Sequence, residues 1–123
     1  MVDRSPVVLC VEDDADTQEM LRVLLSERGY GFEVAGTCAD GLRLAREKKI
    51  ALAVLDNWLP DGTGVELCRQ VREFDKVLPI IFVSGSVFED EQLEAIEYGA
   101  NAFLTKPLAL DEFFALLDDY API

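Results

Sequence analysis

The chain predicts a single α/β domain built on a parallel sheet with helices on both faces. Three observations predict it. Five short apolar runs alternate along 123 residues with segments whose apolar residues fall at helical spacing. Each run stops in polar, turn-forming residues. The run over 50–55, Ile-Ala-Leu-Ala-Val-Leu, is apolar at every position and closes on Asp56 and then Pro60, Gly62 and Gly64. A continuous apolar run of that length reads as a strand buried on both faces, and such strands belong to parallel sheets.

The elements follow in order. Val7–Val11 is an apolar strand ending in Glu12-Asp13-Asp14. A helix follows with Met20, Leu21, Leu24 and Leu25 inward, closing at Arg28-Gly29, and Asp16 with Glu19 resembles a capping pair at its start. Residues 32–35 form a short strand and 40–49 a helix with Leu42, Leu44 and Ala45 inward. Strand 50–55 and helix 65–73 come next, then strand 79–83, which ends in Ser84-Gly85-Ser86. Residues 89–98 predict a helix with Leu93 and Ile96 on its apolar stripe and Gly99 closing it. Ala102–Thr105 is the last strand, ending at Lys106-Pro107, and Leu110–Tyr120 a helix with Leu110, Phe113, Phe114 and Leu117 inward. Five β-α units without an internal linker imply one domain over 1–123.

Composition excludes several functions. Half the residues are hydrophobic, which is a globular composition. No apolar run approaches the roughly 18 residues of a membrane span, and the N-terminus lacks the pattern of a signal peptide, so a cytoplasmic protein is expected. The net charge of −13 argues against nucleic-acid binding by this segment. From Val77 onward Lys106 is the only basic residue among many acids, which reads as a solvated face or as a docking surface for a basic partner. Cys10, Cys38 and Cys68 lie far apart without metal-site spacing, and Cys10 and Cys68 read as core residues. The chain has no histidine, which excludes Ser-His and Cys-His catalysis.

Reactive groups sit at four strand ends: Glu12, Asp13 and Asp14, then Asp56, Ser84 and Lys106. In a doubly wound sheet these tips converge on one crevice. Carboxylates crowded there repel one another, and a hard divalent cation relieves the repulsion. Oxygen ligands alone favour Mg²⁺ over a transition metal. One carboxylate could then attack phosphorus, with Lys106 neutralising a phosphoryl oxygen and Ser84 donating to another. Singly, each group reads as a cap or a turn residue; their joint occurrence at four strand ends is far more specific.

Four motifs carry a resemblance: Val11-Glu12-Asp13-Asp14, Asp56-x-x-x-Pro60-x-x-x-Gly64, Val83-Ser84-Gly85, and Gly99-Ala100-x-Ala102-Phe103-Leu104-x-Lys106-Pro107. Over essentially its whole length the chain resembles the receiver domains of two-component response regulators. The resemblance implies a flavodoxin-like (βα)5 sandwich with strand order 2-1-3-4-5. It implies that Asp56 accepts a phosphoryl group from a histidine kinase or phosphotransfer protein, so that the domain assists its own phosphorylation and dephosphorylation while serving as a bacterial signalling switch. It implies a Mg²⁺ site of Asp13, Asp56, Glu12 acting through water, and the Trp58 backbone carbonyl. Ser84 and Lys106 would contact the phosphoryl group, Ser84 and Phe103 would switch, and the Lys106–Pro107 bond would be cis. A downstream effector domain or protein would read the result.

Some residues depart from the commonest pattern. Ser stands at 84 where Thr is more frequent, and Phe103 lacks the hydroxyl of a tyrosine, so switching there would work by packing. Trp58 is bulky for its place; surface packing and shielding of the acyl phosphate are both open readings. The acidic loop after the first strand argues against an FMN carrier, whose phosphate loop needs glycines and hydroxyls, and Trp58 stands where an aspartyl phosphatase places its second acid. A phosphorylation-independent interaction module is the remaining alternative. The absence of basic residues from the last two helices argues against an ion-paired dimer through that face.

Overall fold

The computed structural model describes residues 5–85 and 89–123. The predicted strand end at Ser86 lies outside those residues. Five parallel strands, β1 (Val7–Val11), β2 (Gly31–Ala35), β3 (Leu52–Leu55), β6 (Ile80–Ser84) and β7 (Ala102–Thr105), form one sheet in the order β2-β1-β3-β6-β7. Counting the parallel strands alone, that is the expected order 2-1-3-4-5. Between β3 and β6 lies a two-residue hairpin, β4 (Trp58–Leu59) with β5 (Gly62–Thr63). The helices among the described residues are α1 (Ala15–Glu27), α2 (Cys38–Glu47), α3 (Gly64–Phe74), α4 (Glu89–Glu97) and α5 (Leu110–Tyr120). None is long and apolar enough to cross a membrane.

The three central strands are buried at almost every residue, which is why their sequences are apolar without alternation. Alternate side chains supply two cores. Val8, Cys10, Val54 and Ile81 pack with Leu21, Leu25, Phe113 and Leu117 of α1 and α5. Leu9, Val11, Leu55 and Phe82 pack with Leu44, Leu67, Val71 and Ala95 of α2, α3 and α4. Cys10 and Cys68 are buried in these cores, as expected, and burial pushes both thiols up. On the first face Tyr30 Oη donates to the Ala121 carbonyl at 2.7 Å, joining the start of β2 to the end of α5.

Several local expectations are corrected. Helix α1 is capped by Asp14, whose Oδ2 accepts from the Thr17 amide at 2.9 Å, so the cap lies two residues before Asp16. Met20 is exposed, and Leu21 and Leu25 carry the inward face. Helix α2 starts at Cys38, two residues early, because Thr37 is its N-cap. Leu93 and Ile96 are 61% and 48% exposed, and the buried residue of α4 is the small Ala95. Leu110, in the first turn of α5, is exposed, and Phe113 and Leu117 carry the inward face.

One long-range fixture joins the second face. The Arg72 guanidinium at the end of α3 donates to the Gly99 carbonyl at 2.7 Å and 3.1 Å and to Asn101 Oδ1 at 3.2 Å, and that same oxygen accepts the Ile80 amide.

Candidate metal and phosphoryl site

Parallel strands all point the same way, so their C-terminal tips open on one edge of the sheet. β1 continues one residue past its end, with the Glu12 amide donating to the Ala35 carbonyl at 2.9 Å. Its carbonyl accepts from Gln18 Nε2 at 2.6 Å. Glu12 is thereby held at the tip, buried, with Asp13 exposed beside it. Asp56 follows β3 directly; its amide donates to the Val11 carbonyl at 2.9 Å, which sets it next to the β1 tip. One carboxylate oxygen from each of Glu12, Asp13 and Asp56 lies within 4.8 Å of the others.

Lys106 comes from the opposite side. Its amide donates to the Ser84 carbonyl at 2.9 Å, so the lysine sits beside the fully buried Ser84. Its Nζ lies 3.2 Å from both Glu12 carboxylate oxygens and 3.7 Å from Asp56 Oδ2. The Lys106–Pro107 peptide is cis, as the resemblance implies. Burial raises the Glu12 carboxyl from its ordinary 4.5 to about 7, and the neighbouring Asp56 charge adds to the rise while Lys106 opposes it. Lys106 contacts two of the three clustered carboxylates, Glu12 and Asp56, so the cluster carries uncompensated negative charge suited to a hard cation.

The structure therefore brings together Glu12, Asp13, Asp56 and Lys106, with Ser84 joined to Lys106 through its backbone carbonyl. Phe103 is half-buried on β7 with its ring stacked on Phe82 at 5.7 Å and 12°. Trp58 opens the hairpin two residues past Asp56 with its side chain 58% exposed. Asp14, the third acid of the first tip, is spent on capping α1, and its bonds to Thr17 lower its carboxyl.

Residues outside the expected set hold the Asp56 loop. Asn57 is buried; its carbonyl accepts the Gly64 amide at 2.8 Å and its Oδ1 accepts the Val65 amide at 3.1 Å. Asp61 reaches from the hairpin to α2. Gly64 explains the spacing of its motif: a Cβ there would lie 2.3 Å from the Asp56 carbonyl oxygen and 3.1 Å from Phe82. Only a residue without a side chain lets α3 start that close to Asp56. Asn57 and Asp61 bond to partners elsewhere in the fold and carry no local signal; the glycine of the motif was the one legible sign.

A doubly wound parallel sheet whose strand tips gather three carboxylates and a lysine is the arrangement that the receiver-domain resemblance implies. The comparisons test it. The response regulator receiver domain model matches residues 8–118. The chain is 38% identical over 109 residues to the response regulator MprA of Mycobacterium leprae, covering 88% of this chain and 47% of that protein. It is 33% identical over 111 residues to the transcriptional regulatory protein KdpE of Mycobacterium tuberculosis, covering 90% and 49%. The chain thus spans about half the length of these relatives. Among solved structures it superposes on the non-phosphorylated HemR receiver domain of Leptospira biflexa with a TM-score of 0.87 at 34% identity, covering 97% of this chain and 96% of that one. A two-component response regulator from Clostridium difficile gives 0.90 at 26%, with coverage of 94% and 95%. The chain belongs to the response-regulator receiver family.

Proposed function

We propose that residues 1–123 form one receiver domain, acting in the cytoplasm, in which Asp56 accepts a phosphoryl group from a histidine kinase or phosphotransfer protein. The observation that carries this reading is the position of Lys106 Nζ, in contact with Glu12 and 3.7 Å from Asp56 at the rim of the acidic cluster. A structural ion pair would need one carboxylate; Lys106 contacts two, with Asp13 clustered beside them, which leaves negative charge for a cation to neutralise.

An Asp56 carboxylate oxygen attacks phosphorus, the bond to the donor's imidazole nitrogen breaks, and its electron pair stays on that nitrogen, which takes a proton from water. Lys106 exchanges a carboxylate partner for a phosphoryl oxygen and steadies its charge. The Ser84 hydroxyl donates to another phosphoryl oxygen. Asp13, Asp56, the Trp58 carbonyl and Glu12 through water would hold Mg²⁺, which supplies neutralisation of the negative charge shared by carboxylates and phosphoryl group. Movement of Ser84 would draw Phe103 inward along Phe82, and a downstream effector domain or protein would read that change.

The test is phosphate incorporation from a small-molecule phosphodonor, followed by intact mass with and without Mg²⁺. Wild type should gain one phosphoryl group only with Mg²⁺, and Asp56→Ala none under either condition. Incorporation that persists in Asp56→Ala would assign the acceptor elsewhere; none in wild type would favour a phosphorylation-independent interaction module.

A further inference from the structure

A hairpin of two residues per strand is marginal on its own, yet β4–β5 carries the Trp58 carbonyl that the proposed function assigns to Mg²⁺. The Trp58 indole is largely in solvent and anchors little. The tie comes from Asp61 in the turn. Its Oδ1 accepts the Cys38 amide at 2.7 Å and its Oδ2 the Ala39 amide at 3.0 Å.

Those two amides are the first of α2. The first turn of a helix leaves its amides without internal partners. Thr37, the helix's own cap, satisfies only the third, from Asp40, at 3.1 Å. Asp61 satisfies the first two from 22 and 23 residues away. Cys38 Sγ adds a contact to the Thr63 carbonyl at 3.6 Å, and Leu59 packs against the core of the second face. The hairpin is thus seated on α2 at its tip, while Asn57 and Gly64 hold its base to α3.

We propose that Asp61 is a positioning residue for the metal site, fixing the Trp58 carbonyl relative to Asp56 by fastening the hairpin to α2. The inference rests on the Mg²⁺ site proposed above. It separates from a plain helix-capping role because α2 can be weakened in two ways, one of which leaves the hairpin fastened. Thr37→Ala removes the helix's own cap. Asp61→Ala removes the tie.

Mg²⁺ titrations of the full chain, by Trp58 fluorescence and by calorimetry, together with thermal melts, decide between the roles. Both variants should melt below wild type. Asp61→Ala should raise the Mg²⁺ Kd about tenfold, the order typical of outer partners of a metal site, while Thr37→Ala leaves it unchanged. Asp61→Asn, which keeps one acceptor oxygen, should fall between Asp61→Ala and wild type, and it carries the test if the alanine variant does not fold. Wild-type affinity in the Asp61 variants would reduce Asp61 to a cap and overturn the inference alone. Absence of Mg²⁺ saturation in wild type would overturn the metal reading and this inference with it.

Discussion

The loop that follows β3 and the helix that follows β6 occupy neighbouring positions on the same edge of the sheet and are held very differently. The β3–α3 connection is fastened by Asn57, Asp61 and the glycine contact at Gly64, and the helix after it buries Leu67, Cys68 and Val71. Helix α4 buries Ala95 and turns Leu93 and Ile96 outward. The difference separates a floor that must keep its geometry during chemistry from an element with little apolar surface holding it in place. Local stability follows buried apolar contact, and α4 has less of it than α3.

The largest test of this contrast is Phe82→Ala. Phe82 is fully buried, touches the position of Gly64 and stacks on Phe103. Its removal should cost about 3–5 kcal/mol in urea unfolding, as for other buried aromatics. Gly64→Ala should cost about 1–3 kcal/mol by overpacking and should also weaken the Mg²⁺ response, because the added methyl pushes on the Asp56 carbonyl. A Gly64→Ala variant with wild-type stability would show that the loop is not tightly held.

A smaller effect concerns pH. The folded protein holds the Glu12 proton more tightly than the unfolded chain does, since the folded carboxyl titrates near 7 against an ordinary 4.5. Its contribution to stability is therefore fully present below about 4.5 and is lost as pH rises through about 7. Measured without Mg²⁺, the stability difference between wild type and Glu12→Gln should shift against wild type across that window, isolating Glu12 from carboxylates with the opposite trend such as Asp14 and Asp61. The smallest effect is expected at α4: Leu93→Ala and Ile96→Ala should each stay within about 0.5 kcal/mol of wild type. A loss comparable to Phe82→Ala would show that these side chains are packed after all.

The same contrast marks what was legible in the sequence. The buried strands announced themselves as unbroken apolar runs, and the reactive groups at their tips followed because parallel strands end on one edge. The exposure of Leu93 and Ile96 could not be read, because their spacing suits a helix stripe and the residue that faces the sheet is an alanine. The α1 cap was misplaced because Asp13, Asp14 and Asp16 offer competing caps, and the choice depends on where β1 ends. Asp61 and Asn57 acquire their roles from amides in other elements, and nothing in the residues beside them signals it.

Arg72 gives the second face a mechanical property of its own. It bonds α3 to Gly99 and Asn101, just before the strand that leads to Lys106. The guanidinium is a crossbar: a push on α3, which begins against Asp56, reaches the root of β7 through Asn101 and the C-terminal end of α4 through Gly99. The two ends of the candidate site are thus braced against each other, and the C-terminal end of α4 is pinned to the same brace.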